Sequence, residues 1–347
     1  MQNQIALSQT EQPLALVLGA TGGIGGAVAR RLLQEGWRIR ALNRKAAEVA
    51  AREPAFDWRQ GDAMDAEAVR SAAQGARLIV HAVNPPGYRD WDKLVMPMLE
   101  NTIAAARENG ARILLPGTVY NYGPDSFPLI AETSPQKPLT RKGTIRVQME
   151  QRLQVAAKEG VPVLIVRAGD FFGPGSANSW FAQGVVKPGK PLRSVGFVAR
   201  PGIGHQWAYL PDVAETMVRL LSMPDRLGSF ETFHMDGVWD HSGVQMAEAI
   251  ERVVGHPLSH RRFPWWAVVL ASPFVPLFRE VLEMRYLWQR PVRLSNAKLR
   301  AFLGAEPQTP LDDALRTTLR DLGCLPDETH GRAEGRTRAG KPVAGPV

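Results

Sequence analysis

The chain has 347 residues, 44% of them hydrophobic and 22% charged, which is typical of a globular protein and too apolar for a disordered one. Its single cysteine, Cys324, excludes a disulfide framework and a thiolate metal site and fits a reducing cytoplasm. Part of the formal charge of +8 lies in a Gly- and Pro-rich C-terminal end. Because no basic block carries interleaved aromatic residues, we do not expect nucleic-acid binding.

The first residues, MQNQIALSQTEQ, lack the pattern of a signal peptide, so we expect a cytoplasmic protein. From residue 14 onward, short apolar runs alternate with helical patterns. The predicted strands are 14–20, 37–44, 77–83, 111–117 and 161–169; the predicted helices follow Gly22, pass through Leu94 and Ile103, and span 144–158. Pro97 is expected to kink or delay the second of these helices. This alternation predicts an α/β fold, with a parallel sheet covered on both faces.

Beyond residue 170 the chain becomes rich in Gly and Pro, which predicts a smaller C-terminal substrate lobe. We expect 12–170, with 205–225 contributing, to form the dinucleotide-binding core, 171–204 and 226–325 to form the lobe, and 328–347 to be a disordered tail. The apolar segment 263–278 is broken by prolines and shorter than the ~20 residues of a spanning helix, so no stable membrane span is expected. It is interpreted either as a buried wall of the lobe or as a greasy pocket or lipid contact.

A glycine-rich turn follows the first strand, where LGATGGIGG places Gly19, Gly22 and Gly25 as G-x-x-G-x-x-G. The first glycine permits a tight turn, the second lets the backbone approach a pyrophosphate, and the third lets the helix pack on the strand. The helix N-terminus then offers free N–H groups and a partial positive charge. A flexible turn without function is the alternative, but the strand–helix context favours a Rossmann-type, doubly wound dinucleotide site.

The second strand ends at Asn43, Arg44 and Lys45, where an NAD site would place an acid for the ribose 2′-OH. A 2′-phosphate binds a guanidinium instead, so Arg44 favours NADP, with NAD as the weaker expectation. A solvated basic loop is the alternative. Asp62, between the predicted strands 37–44 and 77–83, is interpreted either as a contact to the adenine edge or as a helix N-cap.

Several motifs in order carry a resemblance to a known family: GATGGIG, GDAMD, HAVNPP, TVYNYGP, LIVRAGDFFGPG and HQWAYLPDVAETM. Together they resemble the extended short-chain dehydrogenase/reductase family, which includes NAD-dependent epimerases and dehydratases, over roughly residues 14–325. The residues expected to line the cofactor are Gly19, Thr21, Gly22, Gly23, Ile24, Gly25, Asn43, Arg44, Asp62, Ala63, Ala82, Val83, Asn84, Arg146 and Ala168.

The resemblance also implies catalytic positions, and one of them departs from the family. Members place a Ser or Thr after the strand that corresponds here to 111–117, which gives Thr118, and then a Tyr and a Lys four residues apart on the next helix. Counting back from Glu150 puts Arg146 at the Lys position and Lys142 at the Tyr position. The usual phenol is therefore missing, and Arg146 cannot pass protons at pH 7.

A substitute proton donor is expected at Lys142, at a loop tyrosine or at water. Lys142 serves if burial lowers its pKa; the alternative is an exposed lysine at a helix start. Tyr120, Tyr122 and Tyr88 lie on loops facing the cleft, although Tyr122 is expected to pack structurally. Asp212 resembles the family's structural aspartate, which caps a helix. His205 is interpreted as a substrate contact or a satisfied surface residue.

These patterns favour an NADP(H)-dependent oxidoreductase or epimerase/dehydratase-like enzyme acting on a small carbonyl, alcohol or sugar-like substrate. The rival is a non-catalytic NADP(H)-binding redox sensor or scaffold, favoured by loss of the Tyr. An apolar-substrate enzyme near a membrane rests only on 263–278. No ligand spacing indicates a metal site. The resemblance implies a homodimer, because dimers through paired helices are usual in the family.

Overall fold

The computed structural model describes residues 12–85 and 90–326 of the chain. The tail predicted at 328–347, together with Pro86 and Tyr88, lies outside the described residues. The strands are β1 (Leu14–Leu18), β2 (Arg38–Asn43), β3 (Asp57–Gln60), β4 (Ala76–His81), β5 (Arg112–Gly117), β6 (Leu129–Ile130), β7 (Val163–Arg167), β8 (Asp170–Phe172), β9 (Ser194–Phe197), β10 (His205–Tyr209), β11 (Phe230–His234), β12 (Val238–Asp240), β13 (Ser259–Arg262) and β14 (Arg293–Leu294).

The helices of the described residues alternate with these strands in the first half of the chain and become less regular in the second. They are α1 (Gly23–Gln34), α2 (Ala46–Ala50), α3 (Ala66–Ala72), α4 (Trp91–Asn109), α5 (Arg141–Lys158), α6 (Leu210–Leu221), α7 (Gln245–Val254), α8 (Trp265–Ala271), α9 (Pro276–Glu283), α10 (Ala297–Leu303) and α11 (Leu311–Asp321).

A parallel sheet of seven strands, in the order β11-β7-β5-β4-β1-β2-β3, forms the centre of the described structure. Alternate residues of β1 pack on opposite faces: Leu16 lies with residues of α4 and α5, and Val17 with residues of α1 and α6. Each such buried aliphatic side chain contributes roughly 1.5–3 kcal/mol. The prediction of a doubly wound α/β fold is confirmed, and the strand order reverses between β1 and β4, where ligands bind in such sheets.

The second lobe contains its own apolar core and short sheets. β8, β10 and β12 form one sheet, β9 pairs with β13, and β6 pairs with β14. The lobe's core is strongly aromatic, with Phe172, Phe181, Trp207 and Trp288 buried together. A smaller cluster joins the chain after β5 to residues 284–294. The lobe is therefore anchored at the edge of the sheet where the strands end.

Three expectations about these elements need correction. Residues 230–234, assigned to the lobe, form the outermost strand of the main sheet, because β11 pairs in parallel with β7. Helix α4 begins at Trp91, six residues before Pro97, so the proline does not delay it. Helix α5 begins at Arg141 rather than 144, since the hydroxyl of Thr140 accepts a hydrogen bond from the Gly143 amide at 3.0 Å.

Candidate functional site

The glycine turn after β1 is set by backbone contacts that exclude a side chain. Gly19 has φ +93°, and a Cβ there would lie 2.5 Å from the Ala82 carbonyl oxygen. A Cβ on Gly25 would lie 2.3 Å from the Gly19 carbonyl oxygen. The turn is therefore pressed onto the chain after β4 and onto the first turn of α1, as a dinucleotide-binding turn requires.

The start of α1 presents uncompensated amides. Its N-cap is Gly22, which has no side chain, and its first turn contains no acidic residue. The amides of Gly23, Ile24 and Gly25 have no protein acceptor within 12–85 and 90–326, whereas the Gly22 amide donates to the Gly19 carbonyl at 2.9 Å. Thr21 is exposed beside them. This opening has the donors and the partial positive charge that a pyrophosphate needs.

The chain beyond β2 and β3 forms the expected adenosine end. The Asn43 Oδ1 atom accepts from the Lys45 amide at 2.8 Å, which shapes the turn after β2. The Arg44 side chain is 73% exposed, with its Nε 3.8 Å from Asp62 Oδ2. Asp62 is not a helix N-cap, because Asp65 caps α3 by accepting from two amides. A basic and an acidic side chain thus stand together at the tips of β2 and β3.

The remaining predicted cofactor positions lie at the same edge of the sheet. Ala82, Val83 and Asn84 follow β4, and Ala168 follows β7. The Ala82 amide donates to the Leu18 carbonyl at 2.9 Å, so this segment continues alongside the end of β1. The carbonyl of Ala63 accepts from the side chain of Asn101 in α4 at 2.9 Å. The sheet thereby gathers these positions around the point where its strand order reverses.

The turn after β5, which carries the hydroxyl of Thr118, lies against the start of α5. Thr118 is half-buried and its hydroxyl accepts from the Tyr120 amide at 3.3 Å. A Cβ on Gly143 would lie 2.3 Å from the Tyr120 carbonyl oxygen. The glycine therefore allows α5 to begin directly against the turn that carries Thr118 and Tyr120, which places both beside this helix.

Arg146 is buried and aimed at the crevice. Its Nη2 atom donates to Asn84 Oδ1 at 2.9 Å, and its guanidinium lies 5.1 Å from the centre of the Trp91 ring. The side chain joins α5 to the chain after β4 and presents a fixed positive charge there. This arrangement is suited to holding hydroxyls or phosphates, because a guanidinium donates in a fixed geometry and is never deprotonated.

A buried histidine stands behind Arg146. His81, at the end of β4, is hydrogen-bonded through Nδ1 to the hydroxyl of Thr102 at 2.8 Å. Its Nε2 atom is buried and has no partner among the described residues. Burial, and secondarily the charge of Arg146, lowers the pKa of His81 to about 3. The ring is therefore neutral at physiological pH.

Lys142 lies in the first turn of α5, but its side chain is only 2% exposed, so the interpretation of an exposed lysine is wrong. Its ammonium donates to Glu283 Oε2 at 2.8 Å and to the Glu280 carbonyl at 2.9 Å, and it lies 2.5 Å from Glu280 Oε2 in an ion pair. Lys142 thus ties α5 to α9 of the second lobe.

A buried network beneath the crevice accounts for Tyr122. Arg167 donates to both carboxylate oxygens of Glu150 and, at 2.8 Å, to the Tyr122 hydroxyl. His234 Nε2 lies 3.2 Å from the same hydroxyl. Burial raises the pKa of Tyr122 to about 12, and burial together with Arg167 lowers the pKa of His234 to about 3. These contacts fit the expected structural packing of Tyr122.

His205 and Asp212 are also engaged by the protein. His205 is buried rather than on the surface, with Nε2 2.8 Å from Asp170 Oδ2 and its ring stacked 3.8 Å from that of Trp288. Asp212 accepts from the amide and hydroxyl of Thr309 at 2.8 and 2.7 Å, which holds the chain that enters α11. Burial raises the pKa of Asp212 despite these bonds. Its contacts link α6 to α11 rather than capping its own helix.

Sequence reasoning missed the partners of the predicted residues. Glu280 and Glu283 hold Lys142, Trp91 contacts Arg146, and Asp170 pairs with His205. Glu280 and Glu283 stand three residues apart, a spacing that places both on one helix face. The spacing indicates that the two glutamates share a helix face, but it does not indicate that they bind Lys142, which lies more than a hundred residues earlier.

The fold and the glycine turn together define a protein of the dinucleotide-binding α/β class. The pattern of the NAD dependent epimerase/dehydratase family matches residues 15–235, and the chain belongs to that family. This confirms the resemblance drawn from its motifs.

Individual relatives are more distant. The chain is 24% identical over 327 residues to sterol demethylase protein B of Methylococcus capsulatus, covering 90% of this chain and 94% of that protein. A putative epimerase from Burkholderia cenocepacia superposes with a TM-score of 0.68 at 20% identity, covering 91% of this chain and 99% of that one. UDP-glucuronic acid 4-epimerase from Bacillus cereus, in complex with NAD, gives 0.68 at 16% identity, with coverages of 89% and 98%. At these identities the structures share the fold.

Proposed function

We propose that this chain is an NADP(H)-dependent oxidoreductase or epimerase/dehydratase-like enzyme acting on a carbonyl or alcohol. The observation that carries the proposal is the cradle at Gly19 and Gly25, where an added Cβ would meet backbone oxygen at 2.5 and 2.3 Å. Because the backbone segments at Gly19 and Gly25 lie this close together, backbone atoms and the free amides of the first turn of α1 face the same opening. This arrangement fits a dinucleotide pyrophosphate. The bound dinucleotide supplies or accepts the hydride; the chain's residues hold and orient the substrate.

The preference for NADP(H) over NAD(H) is supported by Arg44. No acid follows β2 directly, and the guanidinium is 73% exposed with only a 3.8 Å ion pair to Asp62. A ribose 2′-phosphate gains a charge-assisted bond from such a group. Calorimetric titration with NADPH and NADH tests this preference. Tighter binding of NADH would contradict it and would match the epimerase from Bacillus cereus, a protein of the same fold that was solved in complex with NAD.

The proposed roles in catalysis follow from the contacts. Thr118 donates a hydrogen bond to the reacting oxygen, and Arg146, held by Asn84, binds the cofactor ribose. The proton comes from Tyr120 or water, because the N–H donors of Lys142 are directed at Glu280 and Glu283. Without a dedicated phenol on α5, chemistry relies chiefly on positioning, which alone can lower a barrier by several kcal/mol.

For the substrate, two classes deserve testing. The chain is 24% identical to sterol demethylase protein B and covers 94% of that protein, which supports an apolar cyclic alcohol or ketone as one class. UDP-glucuronic acid 4-epimerase shares the fold, which supports a sugar-like substrate as the other class.

The test is a turnover assay with a substrate panel. NADPH, NADH and their oxidised forms are combined with small aldehydes and ketones, UDP-glucose, and a 3-keto and a 3-hydroxy sterol, and the absorbance of the reduced nicotinamide is followed. We expect turnover with one class, reduced ~10²-fold by Thr118→Val, which removes the hydroxyl. Thr118→Ser keeps the hydroxyl and is the matched control.

A second function, a non-catalytic NADP(H)-binding redox sensor, is favoured by one specific observation. Lys142, which counting back from Glu150 aligns with the family's Tyr, is buried in ion pairs with α9. Such a sensor binds the cofactor but turns nothing over. Tight NADPH binding without turnover across the whole panel, and without an effect of Thr118→Val on binding, would establish the sensor instead of the enzyme.

A further inference from the structure

The hairpin of α8 and α9, residues 265–283, exposes an apolar face. Within 12–85 and 90–326, six of the ten large hydrophobic side chains that are exposed lie between residues 266 and 277. Trp266, Leu270 and Phe274 are 71%, 67% and 84% exposed. The interpretation of 263–278 as a buried wall is therefore wrong for most of its length. Clustered exposure of this kind marks an interaction surface, whereas single exposed residues do not.

The inner side of the same hairpin is firmly held, which fixes the orientation of the apolar face. Trp265 donates from Nε1 to the Val198 carbonyl at 2.9 Å, and Val268 is buried. From α9, Glu280 and Glu283 bind the Lys142 ammonium at 2.5 and 2.8 Å. The outward face is therefore presented on a rigid support joined to α5.

The segment that carries the apolar face is positively charged. Segment 261–290 contains five arginines and two acids. Both acids, Glu280 and Glu283, are engaged by Lys142. Arg262, Arg279 and Arg290 are exposed, and none forms an ion pair with any other described residue. We call these three exposed arginines the arginine rim. A patch of aromatic and aliphatic side chains in one segment with such cations matches an anionic lipid surface, in which acyl chains lie beneath phosphate groups.

We propose that the hairpin 265–283 docks this protein on the surface of a bilayer containing anionic lipids. Trp266, Leu270 and Phe274 enter the boundary between headgroups and acyl chains, and the arginine rim contacts lipid phosphates. The docking is interfacial, because α8 and α9 have 7 and 8 residues and no helix in the described part of the chain could cross a membrane. A second copy is a poorer occupant, since a two-fold interface centred here would bring the two arginine rims together.

This inference does not depend on the proposed function, because binding to vesicles requires neither cofactor nor turnover. The full chain is sedimented with vesicles of phosphatidylcholine alone and of phosphatidylcholine mixed with phosphatidylglycerol. We expect binding to the mixed vesicles, weakened by salt, and little binding to the neutral ones.

The decisive variant is Trp266→Ser combined with Phe274→Ser, with Val155→Ser as the matched control. Val155 is an exposed apolar residue toward the far end of α5, 46% accessible. We expect the double variant to lose roughly tenfold or more in affinity and the control to bind like the unaltered protein. Arg279→Gln with Arg290→Gln should weaken binding to anionic vesicles only. Thermal unfolding confirms that each variant is folded.

Three outcomes overturn the proposal. The first is the absence of binding to either vesicle, and the second is equal binding by the double variant and the unaltered chain. The third is a concentration-dependent dimer in light scattering that the double substitution abolishes, which would assign the apolar face to a second copy of this chain.

Discussion

The glycine turn Gly19–Gly25 and the start of α5 both face the crevice above the sheet, but different kinds of contact hold them. In the turn, backbone meets backbone: missing Cβ atoms allow Gly19 to approach Ala82 and Gly25 to approach Gly19. At the start of α5, side chains meet side chains across the fold, with Lys142 bound to α9 and Arg146 to Asn84. Gly19 and Gly25 tolerate only glycine, whereas the start of α5 depends on partners from distant parts of the chain.

The strongest test of the turn is Gly25→Val. The new Cβ would lie 2.3 Å from the Gly19 carbonyl oxygen, and backbone cannot yield there without moving α1. We expect loss of detectable NADPH binding by calorimetry and a decrease in the free energy of unfolding of about 1–3 kcal/mol. Gly22→Ala is the control for the stability measurement alone, since its Cβ would lie 3.3 Å from the same oxygen and the fold should tolerate it better. Unchanged NADPH binding by the valine variant would contradict the cradle.

The start of α5 is tested by Lys142→Met, which removes the cation and leaves Glu280 and Glu283 facing each other. Breaking a buried ion pair from one side costs roughly 3–5 kcal/mol, and because these carboxylates are 32% and 21% exposed we expect about 2–3 kcal/mol here. Urea unfolding measures the loss. The triple variant with Glu280→Gln and Glu283→Gln should recover part of the stability. A fall in turnover with unchanged stability would instead mark Lys142 as the proton donor.

Between the two regions stands His81, whose effect on stability depends on pH. Its pKa is about 3 in the folded protein and about 6.5 when unfolded, so the unfolded chain takes up a proton first as the pH falls. The stability contributed by the neutral ring is complete above pH 6.5 and is lost as the pH falls toward 3. The expected slope is at most about 1.4 kcal/mol per pH unit.

This slope is measured by unfolding between pH 7 and 4, comparing the unaltered protein with His81→Asn, which retains a partner for Thr102. We expect the free energy of unfolding of the variant to change less with pH, and the two slopes to differ by the contribution of one proton. His256→Gln, at an exposed position, controls for the loss of a histidine as such. Parallel curves for the unaltered protein and His81→Asn would show that the buried ring is not the group titrating.

The smallest effect is expected at the adenosine end, with Arg44→Ala. The side chain is largely exposed, so its removal should not change the stability, but NADPH should bind about tenfold more weakly while NADH is unaffected. Arg44→Lys keeps the positive charge but loses the planar guanidinium with its paired N–H donors, so its affinity for NADPH should be intermediate. Equal weakening of both cofactors would show that Arg44 does not contact the 2′-phosphate.

Much of the sheet could be predicted from the sequence, and the reasons for the failures are specific. β1, β4, β5 and β7 are apolar on both faces, so their runs indicate buried parallel strands directly. The sequence of β11, FETFH, is short and partly polar, so it does not distinguish an edge strand of the main sheet from a segment of the lobe. Its membership of the sheet depends on pairing with β7, more than sixty residues earlier, which local pattern does not encode.

The sequence by itself determined the doubly wound sheet, the family and the glycine turn, because periodicity and the absence of a side chain act within a few residues. Only the tertiary structure decided that Lys142 is paired with Glu280 and Glu283, and that the outer face of 265–283 lies open. The local sequence around a lysine or a tryptophan does not show whether its side chain is buried or exposed. Its environment is set by the elements that fold against it from elsewhere in the chain, and that arrangement exists only in three dimensions.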